Sequence, residues 1–265
     1  MWLSKTRIFD YEFCPKRFEY KYIEKVPSRG DVAREVMGRN FHLFFEAFFS
    51  EVDIHNGMNA LECMEEIRRA ALYVASPMSG DLESYIDFQW TTAKDYYHII
   101  QTFIDAESAR AAILQPDMLN EFYYPVALEA RFKIPELKFE GIIDRIDLDP
   151  TMNYTVIDYK TGAVKKNVSK IRKELCWYKL GAEALGYKPV TYGSMFFPRH
   201  NYVFLERIKP ISVTYAIRTI KSVADKIEEG KFPPRIGRWC EDCPYFDICE
   251  VSVDDEQVGV LPEKG

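Results

Sequence analysis

The chain has 265 residues, 47% of them hydrophobic and 29% charged, which supplies a sizeable core and excludes disorder, collagen-like repeats and a disulfide-dense secreted module. Lys and Arg number 35 against 41 Asp and Glu, a formal net charge of −6, so the bulk charge announces no nucleic-acid partner. Six cysteines are present, and three of them crowd into one short stretch near the C-terminus.

The first twenty residues hold neither an uninterrupted apolar run nor a small-residue cleavage site, and no stretch approaches the roughly 18 consecutive apolar residues of a membrane span. The expectation is a soluble, cytoplasmic protein with no membrane partner. In a reducing compartment, clustered cysteines bind metal more often than they pair.

Residues 4–24 carry Ile8, Phe9, Phe13, Phe18, Tyr22 and Ile23 and suit helical structure. Over 32–50, Val32, Val36, Phe41, Phe44, Phe45 and Phe48 recur at spacings of three and four, which predicts a helix. From about 58 to 114 the pattern stays helical, with a predicted break at SPMSGD (76–81). The character then changes. VALEARFKIP (126–135), FEGIIDRIDL (139–148) and YTVIDYKTG (154–162) are β-branched and apolar, with turn residues between them, and predict three consecutive strands in an antiparallel meander. A helix over about 169–186 ends at Gly186, strands follow at 190–197 and 202–208, and a last helix spans 211–229 before Gly230. The cysteine-rich tail begins after Pro233-Pro234. The fold class is α/β (α+β): a central mixed sheet flanked by helices. No linker divides it, so a single domain over 1–265 is expected, with N-terminal helices at 1–50, a helical insertion at 51–120, the core at 121–232 and the cysteine segment and tail at 233–265.

The sharpest chemical signal is Asp144 in GIIDRID, followed by Asp158-Tyr159-Lys160 in VIDYKTG. Two neighbouring strands each lift a carboxylate out of an otherwise apolar run, and carboxylates buried unpaired are expensive, so they should meet a cation. Asp158 and Lys160 are two apart and leave the same face of a strand. Two carboxylates can hold Mg²⁺ or Mn²⁺ through oxygen ligands, and a lysine beside them can stabilise charge building on a phosphate. An isolated D-x-K is usually a charged strand face; here Ile142, Ile143, Val156 and Ile157 make both strands look central.

GIIDRID…VIDYKTG resembles the core of the PD-(D/E)XK nucleases, in particular the RecB-like branch, with its G-x-x-D-R-x-D strand and D-x-K-T-G motif. Upstream, Gly38-Arg39-Asn40-Phe41-His42 is similar to the branch's G-x-x-x-H motif. The resemblance implies a restriction-endonuclease-like core in which His42, Asp144, Asp158 and the backbone carbonyl of Tyr159 hold Mn²⁺ or Mg²⁺ and Lys160 is catalytic. Glu129, in the strand before Asp144, is either a further acidic group at the metal or a solvent-facing residue. The branch carries Q-x-x-x-Y on the helix after D-x-K; Tyr178 matches it, and Glu174 stands where the amide would be.

Cys240-x-x-Cys243 followed by Cys249 is one thiolate short of a tetrad, with Cys14, Cys63 and Cys176 as candidates for the fourth. Cys14 sits in a Cys-Pro pair like Cys243-Pro244, whereas a lone helical cysteine such as Cys63 is usually a small core residue. Four thiolates suit structural Zn²⁺ or a [4Fe–4S] cluster, and spacing alone leaves this open. The pattern is similar to the iron–sulfur staple of RecB-like nucleases, including the CRISPR-associated single-domain type and the AddB subunit, which implies a cluster on Cys14, Cys240, Cys243 and Cys249 that ties the chain ends together.

Positive charge concentrates beside the second strand motif: Lys165, Lys166, Lys170, Arg172 and Lys173 run into the next helix. Lys16, Arg17, Lys21 and Arg29, with Tyr20 and Tyr22, offer a second basic and aromatic wall. Such strips can track a phosphate backbone and stack unpaired bases, although most lysine runs are solvated helix faces. Together with the resemblance, this implies a metal-dependent DNA exonuclease acting on single strands or ends, in CRISPR adaptation beside an integrase or in recombination and repair beside a helicase. The rival reading is a non-catalytic DNA-binding or complex-organising subunit that keeps the fold and the cluster.

Overall fold

The computed structural model describes residues 1–27, 32–83, 93–162, 164 and 167–250. They form two compact units. One combines the N-terminal helices, Pro135–Phe139 and the chain from Ile217 onward; the other holds the helical stretch up to Ile134 together with Glu140–Ala216.

In the first unit, helix α1 (Lys5–Phe13) starts at Ser4, whose side chain accepts from the Arg7 N–H, and stops where Cys14 becomes extended. Pro15 then opens α2 (Pro15–Phe18) at a position where its missing N–H costs nothing, and a π-helical turn, Glu19–Ile23, follows. The helical structure expected over 4–24 is therefore there, as three short pieces. The two chain ends are laced together: the Tyr11 hydroxyl donates to the Lys231 carbonyl at 2.5 Å, the Tyr20 hydroxyl to that of Ile248 and the Tyr245 hydroxyl to that of Val26. Phe18 and Phe232 stack with ring centroids 6.2 Å apart.

The second unit contains α3 (Val32–Glu51), α4 (Ala60–Glu83), α5 (Ala93–Ala112) and the short α6 (Leu119–Phe122). Phe41, Phe44, Phe45 and Phe48 of α3 are buried against Ile67, Ala70 and Ala71 of α4 and Ile99, Ile100 and Phe103 of α5. Each such side chain contributes about 1.5–3 kcal/mol on burial. The break predicted at 76–81 is not there, because α4 continues through Pro77 to Glu83. A proline in a helix removes one backbone hydrogen bond, and the apolar face ending in Val74 and Ala75, buried in the same core, offsets that loss.

The sheet has strand order β1-β2-β3-β4-β5, from β1 (Ala127–Ile134), β2 (Phe139–Leu148), β3 (Tyr154–Tyr159), β4 (Val190–Phe197) and β5 (Tyr202–Arg207). β2 and β3 are antiparallel, β3 and β4 parallel, and β4 and β5 antiparallel. The parallel pair needs a crossover, supplied by α7 (Val168–Ala184), and α8 (Pro210–Glu228) follows β5. Helix α7 comes close to β1 at Gly181: a Cβ there would lie 2.5 Å from the Phe132 ring, so only glycine fits. The mixed α/β class and the succession of five strands along the chain are as the sequence predicts, with strand ends shifted by up to three residues.

Candidate active site

β2 and β3 bring the two predicted aspartates together. Arg145 opposes Ile157 in their antiparallel register, which sets Asp144 beside Asp158 at the end of the ladder. Asp144 Oδ2 accepts the backbone N–H of Tyr159 at 2.7 Å. On the other side of β3, the Lys160 N–H donates to the Phe196 carbonyl of β4 at 2.8 Å, so Lys160 remains pinned although the strand ends at Tyr159. Asp158 is wholly buried and Asp144 is 8% exposed.

Two groups of side chains form around this pair. In the first, His42 of α3 places Nδ1 3.4 Å from Glu129 Oε1 and 3.7 Å from Asp144 Oδ1. One ligand atom from each of the three lies within 4.8 Å of the others. Burial opposes charge on His42, but the Glu129 hydrogen bond and the Asp144, Glu129 and Asp158 charges outweigh it and raise its pKa above the usual histidine value. Glu129 sits in β1 with φ +45°, a left-handed backbone that is costly for a non-glycine residue and clusters at functional sites.

In the second group, the Tyr178 hydroxyl of α7 donates to Asp158 Oδ1 at 2.5 Å. Lys160 Nζ contacts Asp158 Oδ2 and lies 3.4 Å from Glu174 Oε1. Glu174 and Tyr178 are four apart and so project from one face of α7. Among the described residues, the three-ligand cluster thus contains Glu129 in the place that the sequence gives to Asp158, which is held instead by Tyr178 and Lys160. Behind both strands lies a residue the sequence reading did not single out. Arg145, 2% exposed, forks onto Asp147 and reaches Glu107 of α5. An arginine between two aspartates in an apolar strand is the signal that could have found it.

Of the predicted basic strip, Lys165 and Lys166 lie outside the described residues, as does Arg29 of the second wall. Lys170 and Lys173 are partly exposed on α7. Arg172 directs Nε and Nη2 onto Glu206 at 2.7–2.8 Å. Lys16 pairs with Glu19 and Lys21 with Asp10, each at 2.9 Å.

Within the first unit, Cys14, Cys240, Cys243 and Cys249 all line one cavity, together with Phe13, Arg17, Trp239 and Tyr245. All six cysteines are free thiols; Cys63 and Cys176 are buried, with Cys63 in the helical core. No three of the sulfurs lie within 4.8 Å of one another.

A mixed sheet whose adjacent strands carry two buried aspartates, with a lysine following the second and a histidine and glutamate beside the first, defines an α/β protein with an acidic centre that could hold a cation. The sequence model of the PD-(D/E)XK nuclease superfamily matches residues 2–250, and the chain belongs to that superfamily. Among solved structures, the chain is similar to a candidate exonuclease from Eubacterium rectale, at 9% identity and a TM-score of 0.48, covering 98% of this chain and 94% of that one. It is also similar to the protein SSO0001, at 14% identity and a TM-score of 0.38, covering 94% and 85%. No curated protein is similar enough in sequence to count as a match. Among the described residues, no helix is long and apolar enough to cross a membrane.

Proposed function

We propose that the chain is a metal-dependent DNA exonuclease of the RecB-like branch, acting on single strands or DNA ends. The observation that carries this reading is the meeting of Asp144, Asp158 and Lys160 at the end of the β2–β3 ladder, with His42 and Glu129 alongside. Among the described residues, four carboxylates gather here, Asp158 and Glu174 against the Lys160 ammonium and Glu129 and Asp144 against the His42 imidazole. So much negative charge at low exposure calls for a cation, and oxygen donors with one imidazole suit Mg²⁺ or Mn²⁺. His42, Glu129 and Asp144 would hold it, with Asp158 and the Tyr159 carbonyl completing the set. Such an ion polarises the scissile phosphate and lowers the pKa of bound water.

The protein's own groups divide the remaining work. Tyr178 holds Asp158 in place through its short hydroxyl contact. Lys160, partly exposed beside two buried carboxylates, stabilises the charge that grows on the phosphate oxygens as a water oxygen bonds to phosphorus and the bond to the sugar oxygen breaks. The leaving oxygen takes up a proton and a shortened strand is released. Lys170 and Lys173 follow on α7 as contacts for the phosphate backbone, with Lys165 and Lys166 preceding them in sequence.

The cysteine segment is read as a [4Fe–4S] site. Its support is that the four cysteines of the proposed set line one cavity. Four thiolates suit either a structural zinc or a [4Fe–4S] cluster, and the likeness of the spacing to the iron–sulfur staple of RecB-like nucleases favours the cluster. CRISPR adaptation and recombination or repair are the pathways proposed, with an integrase or a helicase as the partner.

The test is degradation of end-labelled linear single-stranded DNA with Mn²⁺ or Mg²⁺, against a circular single-stranded control. Loss of linear DNA alone supports an exonuclease, and cutting of circles makes the enzyme an endonuclease. A wild type no more active than Asp144→Ala or Lys160→Ala sinks the enzyme and leaves the non-catalytic DNA-binding subunit. Anaerobic purification should give a brown protein containing iron and sulfide; a colourless protein with stoichiometric zinc would reject the cluster.

A further inference from the structure

We propose that Glu107, on helix α5, is a positioning residue for the acidic centre, acting through Arg145 on Tyr159, whose backbone N–H holds Asp144. This rests on the nuclease reading given above and extends it to the helical segment, which on sequence alone is only an insertion.

The geometry is a closed chain of contacts. Glu107 Oε1 accepts from Arg145 Nη1 at 2.5 Å across 38 residues of sequence. The same Nη1 donates to the Tyr159 hydroxyl at 3.0 Å, while Nε and Nη2 fork onto Asp147 at 2.6 Å each. Glu107 Oε2 in turn takes the Arg110 Nε–H at 2.9 Å. Two guanidinium groups and two carboxylates balance, so the buried cluster carries no net charge. Removal of any one member leaves an uncompensated charge in a site where that is expensive.

The link to the active site is covalent on one side and packed on the other. Arg145 and Tyr159 are the immediate chain neighbours of Asp144 and Asp158, and successive strand residues point to opposite faces. Fixing these two on the rear face therefore fixes the aspartates on the front. Tyr159 is gripped at its ring by Phe45 of α3, centroids 4.2 Å apart, and at its hydroxyl by Arg145. Its N–H can then meet Asp144 Oδ2 at 2.7 Å. Phe45 lies three residues after His42, so the same stack sets the turn of α3 that carries the histidine. Groups that orient ligand carboxylates from behind commonly change metal affinity by 10–100-fold when removed.

The experiment compares the full-length wild type with Glu107→Gln, which keeps the shape and removes the charge, and with Tyr159→Phe, which leaves the Glu107–Arg145 pair intact and removes only the hydroxyl link. The readouts are Mn²⁺ binding by calorimetry, hydrogen exchange of the β3 amides by mass spectrometry, and kcat and KM on single-stranded DNA. Both variants should bind Mn²⁺ about 10-fold more weakly, exchange faster over 157–160 than over β4, and lose kcat with KM retained. Wild-type Mn²⁺ affinity and β3 exchange in a folded Glu107→Gln protein, even with a lower melting temperature, would overturn the proposal and leave Glu107 a structural residue. If Glu107→Gln does not fold, Tyr159→Phe decides on the same readouts. If the wild type neither binds Mn²⁺ nor degrades DNA, the nuclease reading fails separately. The metal-free exchange over 157–160 then still decides whether Glu107 orders this strand end.

Discussion

Tyr178→Phe isolates one contact at the acidic centre. The substitution keeps the ring, which is buried on α7, and deletes the hydroxyl that donates to Asp158 Oδ1 at 2.5 Å. Asp158 is 0% exposed, so water cannot replace the lost donor. A hydrogen bond to a buried charged group is worth about 1.5–3 kcal/mol, and near the middle of that range the metal-free protein should lose about 2 kcal/mol. For a protein of this size that lowers the melting temperature by roughly 4–8 °C. Urea titration in EDTA and scanning calorimetry should agree on the loss. Asp158, now held chiefly by Lys160, should also wander from its place beside Asp144, so kcat on single-stranded DNA should fall about 10-fold with KM little changed. A variant whose urea midpoint and kcat both equal the wild type would refute the argument that this hydroxyl holds the carboxylate.

Gly181→Ala should destabilise the protein. Alanine gains about 1 kcal/mol in a helix interior, but its Cβ would lie 2.5–2.6 Å from three Phe132 ring atoms, and overpacking costs about 1–3 kcal/mol; a net loss in urea that Phe132→Leu relieves is expected, and a more stable Gly181→Ala protein would refute it. Acid should weaken the fold through Asp147. Burial pushes its carboxyl up, but Arg145 and Arg110 outweigh this and hold it below the ordinary carboxylate range. Its contribution is therefore complete above the unfolded value of about 3.9 and is lost as the pH falls through the lower folded value. Urea midpoints between pH 5 and pH 3 should fall less steeply in Asp147→Asn than in the wild type, and equal slopes would count against this assignment. Cys176, its thiol pushed up to about 11 by burial, should resist iodoacetamide at pH 8 in the native protein and react in urea; mass spectrometry showing native alkylation there would contradict the buried environment.

How far the site was legible follows from where its signals lie in the chain. Asp144, Asp158 and Lys160 stood out because a charge within a β-branched apolar run has no cheap explanation, and the ladder does bring the two aspartates together. Tyr178 was reachable through the Q-x-x-x-Y motif of the resemblance, whose two ends a helix brings to one face. Cys14 was reachable by its likeness to the other Cys-Pro pair, and it lines the same cavity as Cys240, Cys243 and Cys249. Glu129 was ambiguous, because alternation along a strand assigns a face only while the backbone stays regular, and at φ +45° it does not. The break expected at 76–81 failed for a related reason: Pro77 is a local signal, and the buried face of α4 is a tertiary one that overrides it. Glu107 was invisible. On an amphipathic helix a glutamate reads as a solvated residue, and nothing local reveals that Arg145, 38 residues away, will arrive beneath it. Local patterning thus discloses residues that violate their own surroundings. A residue that becomes exceptional only through a distant partner is disclosed by the fold, and the charges supporting this acidic centre from behind are of that second kind.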